Sequence, residues 1–147
     1  MIPKINVKVT YSKYVPKKDR VTIKSSRDVV NVVKELFNQD TISWVEEMYA
    51  VYLSRANDVI GSYQISKGGT TGTMCDPKVV FTTALNCNAH SIILTHNHPS
   101  GNLKPSSADH EITKKIKNAS AFLDMQLLDH VIVTADGYYS FADEGVL

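Results

Sequence analysis

Apolar and polar positions change period several times along the chain, and each change marks an element. Ile5, Val7, Val9 and Tyr11 alternate with Asn6, Lys8 and Thr10, the period-two pattern of a strand, until Val15-Pro16-Lys17-Lys18-Asp19 breaks it. Ser26 is placed to cap a helix over 27–38, where Val29, Val30, Val33, Leu36 and Phe37 recur at helical spacing. Residues 44–53, rich in Tyr and Val, read as a long strand, Ala56-Asn57-Asp58 as its turn and 59–66 as the antiparallel return. Asp76 caps a helix that Pro77 opens and that runs to about Cys87. Ser91-Ile92-Ile93-Leu94-Thr95 is continuously apolar at its centre, as expected of a strand covered on both faces. A loop over 96–105 leads into a helix from Ser106 or Ser107 to about Phe122, with Ile112, Ile116 and Ala119 on one face. Residues 127–133 form another strand, Ala135-Asp136-Gly137 a turn and 138–141 a short last strand. Helices alternate with strands, and 91–133 contains a strand-helix-strand passage. The expected fold is therefore α/β, a three-layer-type sandwich around a mixed sheet.

Composition narrows this little. The 147 residues, 43% apolar and 21% charged, suit one compact domain and argue against disorder or low complexity. The longest apolar runs are a few residues, far below the ~20 needed to span a membrane. The first residues alternate rather than forming a continuous apolar core, which argues against a secretory signal. The expectation is a cytoplasmic protein without a membrane partner. Cys75 and Cys87 are too few for a disulfide scaffold and too far apart for a Cys-x-x-Cys site, so both read as free thiols.

Charge adds more once it is divided. The net charge of +1 splits into +6 over residues 1–24, with seven basic residues against Asp19, and −5 over 25–147, with nine basic against fourteen acidic residues. A basic arm on an acidic body is compatible with nucleic-acid contact. More often it is a solvated edge, an outer strand whose lysines discourage pairing between sheets. The chain divides on this basis into an arm or edge hairpin, 1–24, and a domain, 25–147.

Two segments carry candidate chemistry. Gly68-Gly69-Thr70-Thr71-Gly72-Thr73 is rich in glycine but lacks the spacing of a phosphate-binding loop, so structural glycines are the simpler account. The second begins at the carboxyl end of the most apolar strand, where open α/β sheets place their sites. His96 and His98 alternate to one side of an extended chain, and Asp109 at the start of the next helix can complete a three-ligand set for zinc with a fourth position open. Ser106 and Asp109 also fit an ordinary capping box. His90, His110 and Glu111 lie nearby and read as surface residues or supports. Asp129-His130 either orients a liganding histidine or is a polar interruption of a strand.

The series His96-x-His98, seven residues, Ser106, two residues, Asp109 resembles the JAMM motif of the JAB/MPN+ metalloproteases. His96-Asn97-His98-Pro99-Ser100-Gly101, Pro105-Ser106 and Leu128-Asp129-His130 are similar to the RadC-like branch, and the similarity runs from about Trp44 to the C-terminus. The resemblance implies a JAB/MPN, cytidine-deaminase-like fold, with Zn2+ on His96, His98 and Asp109. It also implies an earlier glutamate as base and Ser106 as a donor to the developing oxyanion. Adjacent Glu46 and Glu47 point to opposite faces of a strand; the family's pattern selects Glu46, with Glu47 as runner-up. Bacterial RadC-like proteins usually carry a helix-hairpin-helix segment before this domain, and residues 1–43 do not resemble one.

The expected function is zinc-dependent hydrolysis of a peptide or isopeptide bond, with a protein or peptide as substrate. The H-x-E with P-C-x-x-C pattern of nucleobase deaminases and the H-E-x-x-H pattern of thermolysin-type proteases are both missing. The alternative is a metal-containing binding or regulatory module without peptidase activity. Resemblance links such a module to DNA repair, mobile elements or anti-restriction, with nucleic acid a possible partner of the arm.

Overall fold

The computed structural model describes residues 1–68 and 75–147. Its strands are β1 (Glu47–Leu53), β2 (Val59–Lys67), β3 (Ser91–Asn97), β4 (Gln126–Val133) and β5 (Tyr138–Ser140), and its helices α1 (Ser26–Lys34), α2 (Pro77–Asn86) and α3 (Ser107–Phe122). The sheet order is β2-β1-β3-β4-β5. Only β3 and β4 are parallel, joined by the α3 crossover, and every other neighbouring pair is antiparallel. This is the expected mixed sheet in an α/β sandwich.

Period two along the central strands divides the core into two layers. Met48, Ala50, Tyr52, Ile92 and Leu94 pack with Val80, Phe81 and Ala84 of α2 and Ile116 of α3. Val51, Leu53, Ile93, Val131 and Val133 face the other way, onto Val29 and Val33 of α1 and onto Phe37 and Ile42 after it. All seven β3 residues are buried, as a strand between two helical layers requires. The tight turn between β1 and β2 places Asn57 at φ 61°, a conformation that Asn tolerates better than most residues.

Three boundaries depart from the sequence pattern. The cap of α1 is Ser25 rather than Ser26, because Asp28 stands three residues on and closes a reciprocal capping box with it. That helix stops at Lys34, and Leu36 and Phe37 continue in a looser turn through bonds to the carbonyls of Val33 and Lys34. Strand β1 begins at Glu47, not Trp44, since the Val45 carbonyl is taken by a side chain from β3 instead of a neighbouring strand.

The largest departure is at the N-terminus, where 5–11 is not a strand. Ile5 and Val7 are 85% and 68% exposed, so the alternation has no buried surface beneath either face. Residues 21–23, beyond a short 3-10 turn at Lys17–Asp19, reach the sheet instead: Val59 N–H donates to the Val21 carbonyl at 2.8 Å, and Thr22 bridges Asp58. The glycine-rich loop falls at 69–73 outside the described residues. Cys75 and Cys87 are free; burial pushes the Cys75 thiol up to about 12, which makes it a poor nucleophile. Among the described residues no helix is long and apolar enough to cross a membrane.

Candidate metal centre

The end of β3 and the start of α3 bring three side chains to one point. His96 sits in β3 opposite Met48 of β1 and Ile132 of β4. His98 lies one residue past the strand, yet its N–H still donates to the Val133 carbonyl at 3.0 Å, so the extended course persists and both imidazoles project to the same side. The chain then turns through a bond from Gly101 N–H to the His98 carbonyl, with Gly101 at φ 80°, where glycine is favoured.

Asp109 arrives from the helix cap. The Ser106 hydroxyl accepts from Asp109 N–H at 3.1 Å, and Ser106 N–H donates to Asp109 Oδ2 at 2.7 Å. The capping box therefore fixes the carboxylate as well as the helix start, and leaves the proton of the exposed Ser106 hydroxyl free to be donated elsewhere. Asp109 Oδ1 lies 3.2 Å from His96 Nε2, and Oδ2 lies 3.5 Å from His98 Nε2.

His96 Nε2 and His98 Nε2 are 2.9 Å apart. His98 Nδ1 lies 2.6 Å from the Asn102 carbonyl, which can only accept, so Nδ1 carries the hydrogen and a neutral His98 turns a bare Nε2 towards Asp109. Atoms facing one another this closely need a hydrogen or a metal ion between them. Ligands at 2.0–2.1 Å around a tetrahedral zinc stand about 3.3 to 3.4 Å apart. The observed separations of 2.9, 3.2 and 3.5 Å bracket that value, so the donor set fits such an ion.

Electrostatics agree with a proton held there otherwise. The Asp109 hydrogen bond raises the His98 pKa above its ordinary value, against a smaller opposing effect of burial. Burial opposes ionisation of Asp109, but His96 and His98 beside it hold its carboxyl far below the usual carboxylate range.

The two candidate glutamates part company. Glu46, half-buried and one residue before β1, offers a carboxylate oxygen to a group with His96 and His98 whose ligand atoms all lie within 4.8 Å. Glu47 is buried on the opposite face, where its Oε1 meets Lys67 Nζ at 3.1 Å and accepts from Gln64 Nε2 at 3.0 Å. His90, His110 and Glu111 are exposed and outside that group.

Asp129 and His130 also take different tasks. Asp129 accepts from Ser140 Oγ at 2.6 Å and from the Ala142 and His130 amides, tying the C-terminal segment to β4. His130 is wholly buried, stacked on Phe141 with centroids 4.8 Å apart, and its Nε2 lies 2.9 Å from His96 Nδ1. Burial drives its pKa well below the ordinary value.

Sequence reasoning passed over Asn97 and Thr113. Asn97 points away from the histidines, and its Nδ2 donates to the carbonyls of Ile42 at 2.7 Å and Val45 at 2.8 Å. Its Oδ1 accepts from Glu47 N–H at 2.7 Å, so one side chain clamps the backbone on both sides of Glu46. A polar residue inside an apolar strand, one position out of phase with the histidines, was the available signal. Thr113 lies one turn beyond Asp109, where a β-branched hydroxyl can reach back to the carbonyl four residues earlier.

A family model described as RadC-like JAB domain matches residues 23–146. The chain is 45% identical over 124 residues to a UPF0758 protein of Flavobacterium johnsoniae, covering 84% of this chain and 53% of that protein. It is 38% identical over 125 residues to one of Chlorobaculum tepidum, covering 85% and 55%, and 39% over 103 residues to one of Symbiobacterium thermophilum, covering 70% and 44%. The chain thus spans about half the length of these curated relatives.

Proposed function

Because the chain belongs to the RadC-like JAB domain family, we propose that it is a zinc-dependent hydrolase of peptide or isopeptide bonds, with His96, His98 and Asp109 as ligands. The observation that carries the proposal is the convergence of the Nε2 atoms of His96 and His98 and a carboxylate at metal-ligand spacing, with Glu46 beside them.

Zinc held there supplies Lewis acidity, acidifying water and polarising the substrate carbonyl. Glu46 takes a proton from the attacking water as the new C–O bond forms, then delivers it to the amide nitrogen as the C–N bond breaks. Ser106, whose hydroxyl accepts from Asp109 N–H, keeps its own proton to donate to the oxygen on which negative charge develops. Glu47 takes no part, since Lys67 and Gln64 engage its carboxylate on the opposite face.

Metal analysis of the purified chain tests the first half: one zinc per chain is expected, lost on joint His96→Ala and His98→Ala substitution. Unchanged metal content in that variant would sink the assignment. A screen of peptide and isopeptide substrates tests the second, with activity expected to disappear in Glu46→Gln and to persist in Glu47→Gln.

A second proposal, contact with nucleic acid, is favoured by the exposed arm, where Lys4, Lys8 and Lys13 lie outside the sheet. Salt-dependent DNA binding should then weaken on joint substitution of those three lysines by glutamine. Absence of binding at low salt would exclude it.

A further inference from the structure

Behind the ligands runs a line of buried polar groups that hydrolysis does not itself require. Thr113 Oγ1 lies 2.5 Å from the Asp109 carbonyl and 2.6 Å from His130 Nδ1, and His130 Nε2 lies 2.9 Å from His96 Nδ1. Thr113, His130 and His96 are all buried.

Hydrogen counting gives the line a direction. A carbonyl oxygen only accepts, so the single Thr113 hydroxyl proton goes to Asp109. Oγ1 can then only accept from His130, which must carry a hydrogen on Nδ1. His130 Nε2 is left either bare or protonated. A second proton would make a cation of a ring stacked on Phe141, wholly buried and with no carboxylate at either ring nitrogen, a form that burial strongly disfavours. Nε2 is therefore bare and accepts from His96 Nδ1–H. We propose that Thr113 and His130 form a positioning relay that fixes the hydrogen of His96 on Nδ1 and so turns its Nε2 lone pair towards the metal.

The topology explains why these residues can meet. His130 stands opposite Leu94 across the parallel β3–β4 pair, on the face that bears His96, while Thr113 comes from the helix joining those two strands. One hydroxyl thereby couples the backbone of the third ligand, Asp109, to the ring orientation of the first, His96. His98 uses the Asn102 carbonyl for the same purpose. The relay rests on the metal-site reading for its purpose, but its proton positions exist in the metal-free chain.

Histidine 15N spectra of the metal-free protein at pH 8 test it directly. The expected result is a protonated Nδ1 on both His96 and His130 and a bare Nε2 on His130. A bare Nδ1 on His96 overturns the relay whatever the metal content. Zinc competition against a chelator gives the second measurement. Thr113→Val should weaken binding by about 10- to 100-fold, the range found on removing such supports, and Thr113→Ser should restore it. Equal affinity in a folded Thr113→Val also overturns the relay. If the wild type binds no zinc but its histidines show the expected hydrogens, the relay stands and the metal assignment falls. Because the wild-type spectra require no variant, a Thr113→Val chain that fails to fold leaves the decisive measurement intact.

Discussion

Asn97 gives the sharpest test of how the fold holds the candidate base. Substituting it by alanine removes three hydrogen bonds, two donated to the Ile42 and Val45 carbonyls and one accepted from Glu47 N–H. Each such bond is worth about 1 kcal/mol net, and each partner left unpaired in a buried place costs about 1–3 kcal/mol. The loss should be at least about 3 kcal/mol, a large part of the roughly 5–15 kcal/mol that stabilises a domain. At about 2–4 °C per kcal/mol for a chain of this size, the melting temperature should fall by about 6–12 °C. The candidate ligand triangle is on the other face and is not touched, so any zinc stoichiometry should hold. Hydrolysis should fall, because Glu46 stands between the two clamped residues. Asn97→Asp should be worse than alanine at pH 7. It keeps the acceptor for Glu47 N–H but turns a carboxylate oxygen on two carbonyls, so its stability should recover as pH falls and the group protonates. Urea unfolding with parallel metal analysis measures both effects. A change below about 1 kcal/mol would refute the clamp, and loss of zinc without loss of stability would show that Asn97 serves the metal instead.

Two further outcomes follow from the site. His130 has a folded pKa well below 6.5, so the unfolded chain takes up that proton first and stability should fall as pH drops below about 6.5, by up to about 1.4 kcal/mol per unit. His98, raised, acts with opposite sign: its contribution is full below 6.5 and is lost as pH rises through the folded value. Urea midpoints of the metal-free protein should therefore fall on both sides of that pH, and the alkaline fall should vanish in His98→Ala. For Ser106, alanine should cost about 1 kcal/mol through the lost cap and about 100- to 1,000-fold in kcat through the lost donor. Aspartate should recover the cap without supplying a donor, so activity loss that tracks stability loss across the two variants would argue that Ser106 only caps.

Where burial follows directly from pattern, the sequence was sufficient. β3 was legible because a strand covered on both faces must be apolar throughout, and α2 because Asp76 and Pro77 are a cap and a first turn that few other structures use. The expected strand at 5–11 fails for a related reason. Alternation at 5–11 is a necessary sign of a half-buried strand, but it does not supply the second surface that buries it, and the residues that reach β2 are the unpatterned 21–23. Likewise β1 starts later than its pattern suggests, because a local pattern does not reveal that a side chain fifty-two residues away takes the Val45 carbonyl.

At the site, the two accounts of Ser106 and Asp109 turn out to be compatible. A capping box is the ordinary explanation for that pair and a catalytic set the specific one; the structure contains the first, in a form that leaves the proposed second open. The bond from Ser106 N–H aims Asp109 at the histidines, and accepting from Asp109 N–H leaves the hydroxyl proton unused. The same economy governs β3. Period two sends His96 and His98 to the layer of α3, where Thr113 and His130 stand behind them, and sends Asn97 to the layer of α1, where it grips the segment carrying Glu46. Three consecutive residues thus position the candidate ligands and the candidate base from opposite faces of one strand. An insertion or deletion of a single residue before His96 in β3 would exchange the faces and should abolish zinc binding and the clamp together.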